Sequence, residues 1–341
     1  MSVASEEGET GLAAGLAAVV RRRFGKNARL VGLERLSGGA SQELWSFDAE
    51  AEGVRHPLIL RRNPGGLTQR EGASGMETEA RLIELARETG ARVPTVVHVC
   101  EPADGLGRGY VMERVAGETI ARRIIRDPEY AEARPKLAFE LGEAAARIHQ
   151  VDIDTAGQLR EVTPQSSVEN SYAGYKAYGV PRPVVEFAFR WLREHLPPPP
   201  SRLTVVHGDM RTGNVIVGPD GLNAVLDWEA VHLGDPMEDL GWICVTSWRF
   251  GEVDKPAGGF GSREQLFAGY ESVSGAPVDA ERVRWWEVMG TLRWGMSCAM
   301  FGREFREGDR SVEKAAISRR TSETALDLMA ILAPRGSYRH A

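Results

Sequence analysis

Apolar positions change their period along this chain, and the change divides it. Leu12, Leu16, Val19 and Val20 recur at helical spacing, Arg21–Arg23 suit a last turn, and Gly25 can take a left-handed cap, so a short helix opens the sequence. Stretches of strand character follow at Arg29–Leu36, Glu43–Asp48, Pro57–Arg62, Thr95–Cys100 and Tyr110–Val115, broken by glycine-rich or proline-bearing segments. One helix interrupts them, Glu77–Glu88, with Leu82, Ile83 and Leu85 on its apolar side and Gly90 beyond its end. Past about residue 117 the period becomes helical, most clearly at Leu137–Gln150, Val184–His195, Arg263–Val273, Arg282–Phe301 and Val312–Leu332, with a stiff Pro197–Pro200 spacer between. The pattern predicts an α+β fold of two lobes: an antiparallel β-rich lobe with one inserted helix over residues 1–115, and a mostly helical lobe over 116–341.

One β-looking island lies inside the helical part. Leu203–Val206 is a short apolar strand, His207–Gly213 a polar loop, Asn214–Val217 a second strand and Leu222–Trp228 a third. Gly218-Pro219-Asp220-Gly221 between the last two is a strong turn signal. A regular hairpin about that turn sets Val217 opposite Leu222 and Asn214 opposite Val225. Asp227, two residues past Val225, then shares a sheet face with Asn214. An amide oxygen and a carboxylate on one face form a hard oxygen site suited to Mg²⁺, the rest of the octahedron being nucleotide phosphate. Asp209, in the loop five residues before Asn214, can point at the same place, orient an acceptor hydroxyl and take its proton.

HGDMRTGN followed by LDWE resembles the catalytic loop and metal-binding aspartate of the aminoglycoside phosphotransferases and their choline-kinase and homoserine-kinase relatives, which share the protein-kinase fold. The resemblance implies Asp209 as catalytic base, Asn214 and Asp227 as catalytic metal holders, and His207 as a structural member of the loop. GDPMEDL fits too, with Asp235 and Asp239 supporting the loop and starting the next helix. On the nucleotide side, the small-residue turn Ser37, Gly38, Gly39, Ala40 and Ser41 would cover phosphates with backbone amides. The third strand, LILRR, offers Arg61 where kinase-like folds carry a lysine paired with a helix glutamate, here Glu79. Arg62 takes that place if the register slips by one. Arginine keeps the charge but not the geometry of lysine. YVMERVAGETI resembles the hinge between lobes, with backbone groups of Glu113, Arg114 and Val115 at an adenine edge. A closer resemblance joins LRRNPGG (Leu60–Gly66) to GDMRTGN and DWE: that of phosphotransferase-like domains found beside acyl-CoA dehydrogenases, which implies hydroxyacyl acceptors.

Composition narrows the partners. A balance of 42 basic against 48 acidic residues gives a net charge of −6, which offers no pull towards nucleic acid or anionic membranes. Cys100, Cys244 and Cys298 form no paired spacing, the N-terminus MSVASEEGET is unlike an export signal, and no long apolar run follows, so a cytoplasmic protein is expected. Residues 251–341 hold 13 acidic and 13 basic side chains, which argues against a site for a polycationic aminoglycoside. Trp285, Trp286, Met289, Trp294, Met296 and Met300 are either core or an acceptor wall, with Arg284 or Arg293 for an acid group. Tyr172, Tyr175 and Tyr178 stand before the site, and His149 is expected to be structural. The expected activity is Mg²⁺-dependent transfer of the γ-phosphate of ATP or GTP to a small-molecule hydroxyl. The alternative is a catalytically weak, nucleotide-binding pseudokinase, motivated by the absent lysine.

Overall fold

A computed structural model describes residues 3–36, 42–63 and 75–332. The expected phosphate-covering turn, Ser37, Gly38, Gly39, Ala40 and Ser41, lies outside the described residues, as does Pro64–Gly66.

The chain opens with α1 (Val3–Phe24), then β1 (Arg29–Leu36), β2 (Glu43–Ala51), β3 (Val54–Asn63), α2 (Met76–Glu88), β4 (Val96–Val99) and β5 (Arg108–Glu113). The five strands form one antiparallel sheet in the order β1-β2-β3-β5-β4. Alternation assigns its two faces. Trp45, Phe47, Ala49, Leu58, Leu60 and Val111 pack with Leu12, Leu16, Val19 and Val20 of α1, while Tyr110 packs with Met76, Ala80 and Ile83 of α2.

The helical part comprises α3 (Ala121–Arg126), α4 (Arg134–Ile148), α5 (Ile153–Ala156), α6 (Pro164–Tyr178), α7 (Pro183–Glu194), the strands β6 (Thr204–Val206), β7 (Val215–Gly218), β8 (Gly221–Val225) and β9 (His232–Gly234), and then α8 (Met237–Cys244), α9 (Arg263–Ser274), α10 (Ala280–Glu307), α11 (Val312–Ser318) and α12 (Thr321–Leu332). The fold is thus the expected two-lobed α+β arrangement. No helix among the described residues is long and apolar enough to cross a membrane.

Three local readings need correction. β7 and β8 pair as a hairpin, but a bulge between Ile216 and Val217 sets Val215, not Asn214, opposite Val225. The third strand ends at Val225, and Asp227 sits beyond it in a left-handed conformation, φ 67° and ψ 73°. The expected helix Val312–Leu332 is two helices broken at Arg319–Arg320. In addition β6 pairs with β9, a strand that the sequence pattern had not suggested.

The two lobes are stitched at the crossing. Glu118 exchanges both backbone hydrogen bonds with Val217, at 2.9 and 3.0 Å. Gly117 (φ 138°) makes this possible, because a Cβ there would stand 2.5 Å from Ile216 Cγ2 and 2.7 Å from Val217 O.

Candidate active site

β6 delivers His207 and Gly208 to the start of the loop. Gly208 has φ 78°, and a Cβ on it would lie 2.6 Å from Ala230 O, so only glycine fits without a shift. Asp239, in the first turn of α8, holds this backbone: its carboxylate accepts from the amides of His207 and Gly208, both at 2.8 Å. His149 Nε2 donates to the same carboxylate at 2.9 Å and meets the Tyr270 hydroxyl through Nδ1 at 3.0 Å. Burial pushes Asp239 upward in pKa, but the hydrogen bond and charge of His149 and the contacts of His207 outweigh it, so the carboxyl is held below its ordinary value. His149 and Asp239 are therefore a buried clamp behind the loop. Asp235 acts elsewhere. It accepts from the Met237 amide at 3.0 Å, which starts α8, and from Trp286 Nε1 at 2.9 Å and Arg282, which tie it to α10.

His207 is completely buried and stacks edge-on against Trp228. Its Nδ1 faces the Asp209 amide at 3.3 Å. Burial lowers its pKa, so it is a neutral structural ring.

Asp209 is the meeting point. Its Oδ1 accepts from Trp242 Nε1 at 2.8 Å and Arg211 Nε at 3.1 Å, and its Oδ2 accepts from Asn214 Nδ2 at 2.7 Å. Asn214 Nδ2 also reaches the Asp209 carbonyl at 2.9 Å. Asp209 and Asp227 line one cavity of about 360 Å³, with Asn214 behind Asp209. The three residues come together, though not by simple strand parity. The bulge moves Asn214 one place, and the left-handed turn at Asp227 takes that residue out of the strand.

Strand alternation separates the two candidate arginines. Leu58, Leu60 and Arg62 point to the α1 side, where Arg62 bonds Glu43 Oε2 at 2.9 Å and Leu106 O at 3.2 Å. Arg61 points into the cleft. Its Nε donates to Glu79 Oε2 at 3.2 Å and its Nη2 to Asp227 Oδ1 at 2.8 Å, so one guanidinium bridges α2 and the Asp227 turn. Glu79 is fully buried, with the Tyr110 hydroxyl 3.3 Å from Oε2 and its Oε1 unpartnered among the described residues. Burial pushes its pKa up to about 7 against the pull of Arg61. Burial also works against the charge on Arg61, but Tyr110, Glu79 and Asp227 outweigh it and keep the guanidinium firmly protonated.

At the hinge, the Glu113 amide bonds Thr95 O and the Arg114 amide bonds Pro57 O, both at 2.9 Å. The Val115 amide has no backbone partner among the described residues.

Among the described residues no three His, Cys, Asp or Glu side chains form a metal cluster. A magnesium–nucleotide complex asks less of the protein, one or two hard oxygens beside the phosphates. With the Asn214 amide nitrogen turned to Asp209, its oxygen and the Asp227 carboxylate are a donor set of that kind.

The rest of the cavity wall was only partly visible in the sequence. Trp242, Trp248, Trp294 and Phe301 give it an aromatic side, and Arg160, Arg211 and Arg293 bring positive charge. Arg293 donates to buried Glu238 at 2.9 Å and lies over the Trp242 ring at 4.6 Å; Arg211 lies over Trp248 at 4.6 Å. Arg211 could have been suspected from its place inside HGDMRTGN. Trp285, Trp286 and Met289 are core, Arg284 bonds Ile331 O, and Tyr172 and Tyr175 pack on Phe189. None of these lines the cavity.

Known proteins resemble this chain in sequence and in fold. The model of the phosphotransferase enzyme family matches residues 32–276. The chain is 33% identical over 201 residues to acyl-CoA dehydrogenase family member 10 of Mus musculus, a match covering 55% of this chain and 18% of that protein. It is 27% identical over 208 residues to acyl-CoA dehydrogenase family member 11 of Homo sapiens, covering 55% and 25%. The matched region is thus about a quarter or less of the length of these relatives. Among solved structures, a candidate aminoglycoside phosphotransferase of Ralstonia eutropha superposes with a TM-score of 0.71 at 22% identity, covering 93% of this chain and 97% of that one. A thermostable mutant of aminoglycoside phosphotransferase APH(4)-Ia, in a ternary complex with AMP-PNP and hygromycin B, gives 0.58 at 16% identity, covering 95% and 99%. The chain belongs to the phosphotransferase enzyme family and has the kinase-like fold of the aminoglycoside phosphotransferases.

Proposed function

We propose that this phosphotransferase moves the γ-phosphate of ATP or GTP to a hydroxyl of a small molecule, with magnesium. The observation that carries the reading is Asp209 and Asp227 on one cavity, with Asn214 bonded to Asp209 behind it and Arg61 bridging Glu79 and Asp227. The APH(4)-Ia complex holds AMP-PNP, which favours an adenine nucleotide here.

The residues then divide the work. The amide of Val115 and the carbonyl of Glu113 meet the base, and amides of Ser37–Ser41 cover the phosphates. Arg61, kept in place by Glu79, turns its guanidinium from Asp227 to the phosphate oxygens. Asn214 and Asp227 would hold Mg²⁺, which when bound neutralises charge on the phosphates and keeps them in line. Asp209 accepts a hydrogen bond from the acceptor hydroxyl, directs its oxygen at the γ-phosphorus and takes the proton as that bond forms, while the bond from the γ-phosphorus to the β,γ-bridging oxygen breaks and the nucleoside diphosphate leaves with that oxygen. Trp242, Arg211 and Asn214 hold that carboxylate in one rotamer. The aromatic and arginine wall suits an acceptor with an apolar body and an anionic group better than a polycation, in line with the hydroxyacyl resemblance. We place the lobe division at residue 115, and the protein in the cytoplasm without nucleic-acid or membrane partners. Three buried free thiols, Cys100, Cys244 and Cys298, are in keeping with a reducing compartment.

The test is Mg²⁺-dependent ATP consumption, alone and with a panel of alcohols, amino alcohols, sugars, antibiotics and hydroxyacyl thioesters. Asp209→Asn is expected to lower turnover about 10²–10⁴-fold with little change in nucleotide affinity, and Asp227→Ala to lower both. Wild-type rates in both variants would reject the assignment. Nucleotide binding with no turnover on any acceptor would favour the second reading, a pseudokinase, which the Arg61–Asp227 ion pair at 2.8 Å makes physically reasonable.

A further inference from the structure

α10 walls two separate cavities. Arg293, Ser297 and Phe301, spaced by four, face the catalytic cavity. On its other side, Leu292, Met296 and Ala299 close a narrow crevice of about 30 Å³ against Tyr175, Val185 and Leu328 of α6, α7 and α12. No residue lines both the crevice and the catalytic cavity.

The crevice opens outward into a basin of about 470 Å³, with Tyr178, Arg182, Ala299, Thr321 and Ala325 common to the two. Three guanidinium groups, Arg182, Arg306 and Arg319, line the basin or its margin, and no Asp or Glu does so among the described residues. None of the three is ion-paired among the described residues, in contrast to Arg282, Arg293 and Arg303, which share α10 with Arg306 and pair with Asp235, Glu238 and Glu307. Three like charges around one basin repel one another, and an anion placed among them relieves that repulsion while accepting their hydrogen bonds. The crevice offers the opposite chemistry. Its walls are nearly all carbon, and Met296 and Met300 are unbranched thioethers that can adjust to a slender chain.

We propose that this basin and crevice bind a single-chain amphiphile, the anionic head among Arg182, Arg306 and Arg319 and the aliphatic chain lying along the basin wall, with only its end entering the crevice, which has room for about two water-sized groups. Carboxylate and phosphate heads share the required chemistry. The site is independent of phosphoryl transfer, since it lies on the far side of α10 from Asp209.

Isothermal titration of the full chain tests this with decanoate and decyl phosphate below their micelle concentrations, against decyltrimethylammonium, butyrate and inorganic phosphate. One-to-one binding of at least one decyl anion is expected, at least tenfold tighter than the decyl cation or the tailless anions; which anion binds tells carboxylate from phosphate. Arg306→Glu with Arg319→Glu, both at exposed positions, should weaken that binding at least tenfold at an unchanged melting temperature. Ala299→Phe should do so by filling the crevice. Equal binding of the decyl cation, no binding of either anion, or undiminished binding by the double arginine variant would overturn the proposal. The arginine variant decides the matter even if Ala299→Phe folds poorly.

Discussion

Arg61 holds two carboxylates at once, and a lysine could not do the same with equal geometry. Its Nε and Nη2 diverge to Glu79 and Asp227, a forked arrangement for which a single ammonium is the wrong shape. Arg61→Lys is therefore expected to keep a charge in the cleft yet raise the KM for nucleotide several-fold, whereas Arg61→Ala should lower kcat/KM by about 10²-fold or more; steady-state kinetics with ATP separates the two. Glu79 adds a pH signature. Its folded pKa of about 7 lies above the ordinary 4.5, so between those values the folded chain binds a proton that the unfolded chain releases. Stability contributed this way is present at low pH and declines as pH rises through 7, by at most about 3 kcal/mol. Glu79→Gln should flatten that decline in denaturant melts between pH 5 and 8; an unchanged slope would mean that Arg61 keeps the carboxylate charged throughout. At this scale the nearness of Asp209, Asn214 and Asp227 was legible from their spacing about one turn, and strand alternation separates Arg61 from Arg62 once the sheet is known. Trp242 was not readable, because an indole on a fully buried helix looks like core until its Nε1 is found on Asp209.

Among the elements, long periodic helices and strands were foreseeable and short or non-local ones were not. β9 has three residues, and its partner β6 lies in an earlier part of the chain, so no local pattern marks it. α6 buries only Pro164, Ser167, Val168 and Tyr175, too few for a clear apolar stripe. The β7–β8 bulge is likewise invisible in composition, and it displaced the expected register by one residue. The element with most at stake is the start of α8. Asp239 satisfies two loop amides and His149 from inside the protein, so Asp239→Ala would leave buried donors unpaired and should cost about 3–5 kcal/mol, readable by urea unfolding. Asp239→Asn, which keeps one acceptor oxygen, should cost less. Equal, small losses in both would show that the loop is held by something else.

Across the whole molecule, ligand linkage offers a test that needs no acceptor. AMP-PNP with Mg²⁺ at a hundred times its dissociation constant should stabilise the fold by about 2.7 kcal/mol, a rise of several degrees in melting temperature. EDTA should remove most of that rise if oxygen ligands from Asn214 and Asp227 meet the ion, and leave it intact if they do not. The attachments of α2 bear on how such a ligand would be gripped. Its apolar face shares one cluster with Tyr110 of β5 and with α4 and α8, Glu84 accepts from the Val96 amide of β4 at 2.8 Å, and just past the helix the Arg92 carbonyl bonds the Val225 amide at 2.8 Å, so α2 is tied to the sheet and to the helical side alike. The sheet is attached differently: the Arg114 amide is tied to Pro57 at 2.9 Å, the Ala116 carbonyl to Asn223 at 2.8 Å, and only Val115 lies between. A swing of the sheet against the helical lobe would turn about Val115 and strain α2 at both of its attachments, an angle that a spectroscopic probe pair on β3 and α4 could read directly.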